Sequence, residues 1–225
     1  MEEPRILPTL AILGGTGNEG PGLALRWAHA GHPVIIGSRS AEKAQTVADE
    51  LNARLGTAAI HGATNLDAAR ECRIAVLTVP YDAQTPLLES LKDELQGKIL
   101  ISVTVPLKPP KVSVAYFPPE GSAAEQAQRT LGPGVRVVGA FQNVGAHNLE
   151  DFETPIECDV LICSDDRAAR EEVVALANSL GAVGIEAGAL ANSAVVEGLT
   201  SVLIAINKRY KVPGAGLRIT GLQAA

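Results

Sequence analysis

Cysteine is scarce and badly placed for cross-linking. The 225 residues hold three, Cys72, Cys158 and Cys163, an odd number without a CxxC pair. That count excludes a disulfide scaffold, offers no zinc-ligand spacing and fits a reducing compartment. Long apolar runs are missing as well, since nothing approaches the roughly 18 uninterrupted apolar residues of a membrane span. The chain starts Met1-Glu2-Glu3-Pro4, acidic and Pro-broken where a signal peptide is basic and then apolar. Positive charge is short too: 19 Lys and Arg stand against 25 Asp and Glu, a net charge of −6. This argues against a broad electrostatic footprint on nucleic acid or anionic membrane, so any anion must be bound by local basic clusters. There is no internal repeat, no low-complexity tract, no Ser-His-Asp or Cys-His constellation, no HExxH and no suggestive carboxylate pair. No metal and no catalytic side chain is expected. Together these absences describe a cytoplasmic protein without nucleic acid or membrane partners.

What is present is a core. With 46% hydrophobic and 20% charged residues the chain folds compactly, and its length suits one well-filled α/β domain with a modest appendage. Short apolar runs alternate with longer helix-compatible stretches, as in parallel strands joined by crossover helices. Strands are expected at Thr9–Leu13, Val34–Gly37, Ala58–His61, Ile74–Val79, Lys98–Val103, Val135–Ala140, Val160–Cys163 and Val183–Glu186. Helices are expected at Glu19–Ala30, Ala41–Leu55, Leu66–Cys72, Ala83–Leu95, Ala123–Leu131 and Arg167–Leu180. Ser40, the capping box Ser122-Ala-Ala-Glu125 and Asp165-Asp166 mark three of the starts. After Gly188 the pattern changes to one long, mostly apolar helix, Ala194–Arg209, with no strand behind it. The chain therefore divides into residues 1–188, a doubly wound parallel sheet, and 189–225, a helical segment. The Pro-rich stretch Val105–Pro119 reads as a functional loop.

Gly15-Thr16-Gly17-Asn18-Glu19-Gly20 is a GxGxxG between the apolar strand Leu10–Leu13 and a helix, the context of a Rossmann-type dinucleotide site. Gly15 permits the turn, Gly17 lets backbone approach a pyrophosphate and Gly20 lets helix and strand pack closely. At the end of the second strand, where an NAD enzyme places an acid for the ribose hydroxyls, this chain has Ser38-Arg39 and then Lys43. Nothing there repels a 2′-phosphate, and Arg39 and Lys43 attract one, so NADP is the expected nucleotide. The alternative is that both are solvated charges at a helix start. The nicotinamide belongs past the carboxyl ends of the central strands, beside Thr78-Val79-Pro80 and the strand ends Ser102–Pro106 and Ala140–Ala146. Pro80 either shapes a flat wall for a ring or simply ends its strand.

Gly14-Gly-Thr-Gly17, Gly22-Leu-Ala, Gly31-His32, Gly37-Ser-Arg39, Glu42-Lys-Ala44, Ala75–Pro80, Ser122–Glu125, Ala140-Phe141, Asn192-Ser193 and Glu197–Thr200 resemble the NADPH-dependent reductases of coenzyme F420. The resemblance covers nearly the whole chain. It implies a small homodimer that passes a hydride between NADP(H) and the 8-hydroxy-5-deazaflavin of F420, with no partner beyond these small molecules. By the same resemblance Thr16, Ser38, Arg39 and Lys43 match NADP-binding positions, and Val144 and Thr200 match positions near the stacked rings. Where many relatives carry His, this chain has Gln142, which hydrogen-bonds but cannot become cationic. It also has Gly198 where some relatives carry Ser. Two other readings keep the nucleotide: an NADPH-dependent reductase of an imine, a flavin or a ferric chelate, and a non-enzymatic redox sensor. The apolar stripe Val195, Val196, Leu199, Val202, Leu203 and Ile206 reads as a dimer surface or as a face packed on its own sheet. Lys108 and Lys111 are expected to meet the anionic F420 tail, with Lys208-Arg209-Tyr210-Lys211 and Arg218 as a second cationic place.

Overall fold

The computed structural model describes residues 7–222, so the acidic start Met1-Glu2-Glu3-Pro4 lies outside the described residues. The elements run β1 (Leu10–Leu13), α1 (Gly20–His29), β2 (Val34–Ser38), α2 (Ala41–Leu55), β3 (Ile60–Thr64), α3 (Asn65–Glu71), β4 (Ile74–Leu77) and α4 (Tyr81–Ser90). They continue with β5 (Ile99–Ser102), α5 (Ala123–Leu131), β6 (Arg136–Gly139), α6 (Ala146–Glu150), β7 (Asp159–Ile162), α7 (Arg167–Ser179), β8 (Val183–Glu186) and α8 (Ser193–Tyr210).

Six strands form one parallel sheet in the order β3-β2-β1-β4-β5-β6. Leu10 pairs with Val34 on one side and with Ile74 on the other. Along β1, Leu10 and Ile12 join Leu23 and Trp27 in one core, while Ala11 and Leu13 join Leu88 and Leu100 in a second. A sheet covered on both faces needs apolar residues at successive positions, which is why Leu10-Ala-Ile-Leu13 is a continuous run. The strand order reverses between β1 and β4, and a crevice opens there beyond the carboxyl ends.

The expected helix starts are made by side-chain caps. Ser40 Oγ accepts from the Lys43 amide at 3.2 Å, Ser122 Oγ from Glu125 at 3.0 Å and Asp166 Oδ1 from Ala169 at 2.7 Å. Trp27 is fully buried and donates to Leu176 O at 3.0 Å.

Several boundaries differ from expectation, each for a local reason. All eight expected strands form, but in two sheets: β7 and β8 make a separate parallel pair, joined to β6 by an antiparallel bridge between Gly139 and Cys163. β3 runs on through Gly62 instead of stopping before it. A Cβ there would lie 2.1 Å from Gln45 N, so glycine is what lets α2 press onto the strand. β4 ends at Leu77 rather than Val79, and Pro80 becomes the N-cap of a helix that begins at Tyr81 and stops at Ser90. The short α6 was not expected. Val105–Pro119 is free of helix and strand, as read. After α8 the chain returns to β7, where the Asp159 amide donates to Leu217 O at 2.8 Å.

Candidate active site

The glycine loop sits at the switch point. Gly14, with φ +73°, is the left-handed residue of the turn, a task the motif had suggested for Gly15. Gly15 is required by space instead, because a Cβ there would stand 2.7 Å from Ile12 O. At Gly20 a Cβ would stand 2.6 Å from the Gly15 Cα, so that glycine brings α1 against the loop, where the motif had suggested the strand. Gly17 differs from both: the nearest atom to its missing Cβ is 3.6 Å away, and the residue is exposed to the crevice. This is the open backbone a pyrophosphate needs. Asn65, which no motif marked, fixes the loop from α3 by accepting the Gly14 amide at 3.0 Å.

One strand over, Ser38 is buried and Arg39 and Lys43 are exposed at the start of α2. Among the described residues neither cation has an ion-pair partner. A helix start is an unfavourable place for uncompensated positive charge and a favourable one for an added anion.

The crevice itself is a cleft of about 480 Å³. From the sequence-predicted set it brings together Gly17, Asn18, Glu19, Thr78, Val79, Pro80, Gln142 and Thr200. Gly15, Thr16, Ser38, Arg39 and Lys43 lie outside its lining, on the turn, the adjoining strand end and the start of α2. Val144, expected near the stacked rings, is only 4% exposed and its side chain packs in the core with Phe141 and Leu149 rather than lining the cleft. The apolar walls are Val79, Leu107 and Phe141, residues that exclude water from what lies between them.

The far wall is held by a buried polar network that the sequence did not announce. Gln142 Nε2 donates to Ser102 O at 3.0 Å, while its Oε1 has no partner. Asn143 Nδ2 donates to Val196 O at 3.0 Å and to Thr200 Oγ1 at 3.1 Å, and Thr200 Oγ1 donates to Gln142 O at 2.9 Å. Phe141 begins this turn at φ +71°, an uncommon conformation for a non-glycine residue, held by an edge-on contact to Trp27 at 5.5 Å. Glu197, 1% exposed, turns away from the cleft and accepts the Ala123 and Ala124 amides at 2.7 and 3.0 Å, tying α8 to the start of α5. Burial pushes its pKa up to about 7, against the two amide donors that favour its charge.

Two other expectations resolve here. The stripe on α8 divides, with Val196 and Leu203 packed inward and Val195 and Val202 exposed at 65% and 48%. Lys108 Nζ lies 3.6 Å over the Tyr116 ring, so one cation of the Pro-rich loop already has an aromatic partner. All three cysteines are free and buried, and burial pushes the Cys163 thiol up to about 11, which makes it inert at neutral pH. A second cavity of about 370 Å³ adjoins Arg26, whose guanidinium is spent on the carbonyls of Leu149, Leu180, Asn148, Asp151 and Thr154.

Comparison with known proteins agrees with this geometry. Residues 9–106 match the family described as NADP oxidoreductase coenzyme F420-dependent. The F420-dependent NADP reductase of Methanocaldococcus jannaschii is 43% identical over 95% of this chain and 99% of its own. That of Methanothermobacter thermautotrophicus is 44% identical over 95% of both. A solved structure from Arthrobacter sp. FB24, described as an F420-dependent NADP-reductase, superimposes with a TM-score of 0.80 at 26% identity, covering 95% of this chain and all of its own. Spanning both walls of the cleft, these likenesses show that the chain belongs to the F420-dependent NADP reductase family.

Proposed function

We propose that the chain moves a hydride reversibly between NADP(H) and the deazaflavin of coenzyme F420, the activity named for its relatives. The observation that carries this is the single cleft in which the glycine loop on one side faces Gln142 and Thr200 on the other. The residues fit both molecules. Gly17 leaves room for a pyrophosphate, and the buried Glu19 Oε2 and Gln142 Oε1 lack partners, so acceptors await the N–H and O–H groups of a ligand. When bound, NADPH supplies the hydride and the deazaflavin accepts it.

The chain's own work is placement. The turn Gly15–Asn18 and the start of α1 would hold the pyrophosphate. Ser38, Arg39 and Lys43 would hold the 2′-phosphate and so select NADP over NAD. Thr78, Val79 and Pro80 would back the nicotinamide, and Thr78 is itself fixed by donating from Oγ1 to Leu13 O at 3.1 Å. Gln142 and Thr200 would orient the deazaflavin from the opposite wall. Holding two rings in register removes most of the entropic barrier to their reaction, so no nucleophile or metal is required.

The decisive experiment mixes purified protein, NADPH and oxidised F420 and follows the deazaflavin absorbance. Bleaching with turnover supports the reading, and no bleaching with nucleotide bound overturns it.

The same reading takes residues 1–188 as the NADP-binding part and 189–225 as the segment that completes the acceptor wall. It also makes the protein a homodimer joined through α8, supported by exposed Val195 and Val202 with the exposed Phe117 beside Gly198. By length and composition Leu190–Tyr210 is apolar enough to cross a membrane, but Ser193, Glu197 and Ser201 are buried against the fold, which supports a protein-covered face. Sedimentation at micromolar concentration tests it, and a lone 23.3 kDa species overturns the dimer. The three reduced cysteines support a cytoplasmic location.

A further inference from the structure

Glu19 is the only ionisable side chain among the residues lining the cleft. It occupies the N-cap position of α1 and yet makes no capping bond, so its carboxylate serves no helix amide. Its Oε2 is buried without a partner. Across the same cleft Gln142, 5% exposed, presents a second buried acceptor without a donor. Both residues line the cleft, so a ligand there would lie beside two acceptors that the fold leaves unpaired.

Of the charged groups on neighbouring elements, Arg39 and Lys43 at the start of α2 are exposed to solvent, and the others bond elsewhere or are exposed. Arg26 on α1 is bound to backbone carbonyls, and the Tyr81 hydroxyl on α4 accepts from Gln126. Glu197 on α8 holds the start of α5, and on α6 His147 and Glu150 are exposed, with His147 set against Gly214. Burial pushes the Glu19 pKa up to about 7, where both forms are populated near neutrality.

The reaction changes charge at this place. Reducing F420 with NADPH moves two electrons as one hydride, leaves the nicotinamide cationic and takes up one proton, since the deazaflavin gains two hydrogens in all. The nicotinamide ring belongs in the crevice at the switch point, the cleft that Glu19 lines. A carboxylate in a half-buried site attracts a cationic ring and gains nothing from a neutral one.

We propose that Glu19 is a proton-linked specificity residue that tells oxidised from reduced nucleotide, charged against NADP+ and neutral against NADPH. On NADP+ binding it sheds its proton to solvent and regains it when NADP+ leaves, so the overall proton balance of the reaction is unchanged. The proposal rests on the cleft being the hydride-transfer site.

The test is binding, without F420. Dissociation constants for NADP+ and NADPH are measured by titration from about pH 6 to about pH 8 in the wild type and in Glu19→Gln. Both nucleotides share the 2′-phosphate and pyrophosphate, so titration of those groups cancels in the ratio of the two constants. Ionised Glu19 favours NADP+, so the ratio Kd(NADPH)/Kd(NADP+) is expected to rise about tenfold with pH in the wild type and to stay flat in E19Q. Calorimetry near neutral pH in buffers of different ionisation enthalpy should show more protons released by NADP+ than by NADPH, with the difference lost in E19Q. A flat wild-type ratio overturns the proposal, and a slope that persists in E19Q overturns its assignment to Glu19. If E19Q does not fold, Glu19→Asp replaces it, and the slope must move to a different pH. Wild-type protein that binds neither nucleotide overturns the functional reading instead.

Discussion

The two walls of the cleft are built by opposite means. The wall proposed for the nucleotide is local: residues 12–43 supply a turn with Gly14, Gly15, Gly17 and Gly20 and two exposed cations, and most of its bonding capacity is backbone. The acceptor wall is assembled from distant segments, with Gln142 bonded to Ser102, Asn143 to Thr200 and Glu197 to Ala123. Its side chains are buried and mutually dependent. The nucleotide wall should therefore lose affinity without losing stability when a surface cation is removed, whereas the acceptor wall should lose both together.

Arg39→Ala should show the first behaviour most strongly. Losing a forked, charge-assisted contact to phosphate should weaken NADPH about a hundredfold while NADH changes less than about twofold. Fluorescence titration with both nucleotides checks it, and equal losses would break the division between the walls.

Glu197→Ala tests the other wall. The Ala123 and Ala124 amides would be left buried without an acceptor, so unfolding free energy should fall by about 2–3 kcal/mol, with nucleotide affinity retained. Denaturant titration measures it. The pH dependence sharpens the point, because burial raises the Glu197 pKa from 4.5 to about 7 in the folded chain. A raised carboxyl favours the fold when protonated, so its contribution is complete below the unfolded value and is lost as pH rises through about 7. The denaturation midpoint should fall across that window, and Glu197→Gln should flatten the fall.

Gln142→Ala should raise KM for F420 about tenfold and leave KM for NADPH within about twofold, since it removes one polar contact from the acceptor wall alone. Steady-state kinetics with each substrate varied in turn decides this. A matching rise for NADPH would mean that the two rings share one wall. The smallest effect is expected at the loop beside the cleft. Removing the charges of Lys108 and Lys111 together should raise KM for F420 a few-fold at low salt, more for longer glutamate tails, and the effect should fade as ionic strength screens exposed charges beyond about 8 Å. Unaltered F420 kinetics at low salt would show that the tail runs elsewhere.

The same contrast governs what could be read before folding. The run Leu10–Leu13, the glycines that follow it and the caps at Ser40, Ser122 and Asp166 each act on neighbours within a few residues, so their outcome is written in local spacing. Ser38-Arg39 with Lys43 suggested a phosphate site for the same reason: the chemistry of a strand end needs no distant partner. The position of Val144 in a motif did not say which way its side chain turns, and here it turns into the core.

By itself, then, the sequence determined the alternation of strands and helices and the placement of the glycine turn between β1 and α1. Tertiary structure alone decided that β7 and β8 leave the main sheet, that Gly14 rather than Gly15 takes the left-handed turn, that Asn65 clamps the loop and that Glu197 caps a helix far away in the chain. It also decided that Glu19 and Gln142 line one cleft and each keep an unpartnered acceptor. The physical reason is range. Propensity, capping and turn chemistry act over a few residues, whereas burial and the hydrogen bonds that satisfy it depend on which segments meet, and that is settled only when the sheet has formed and its two faces are covered.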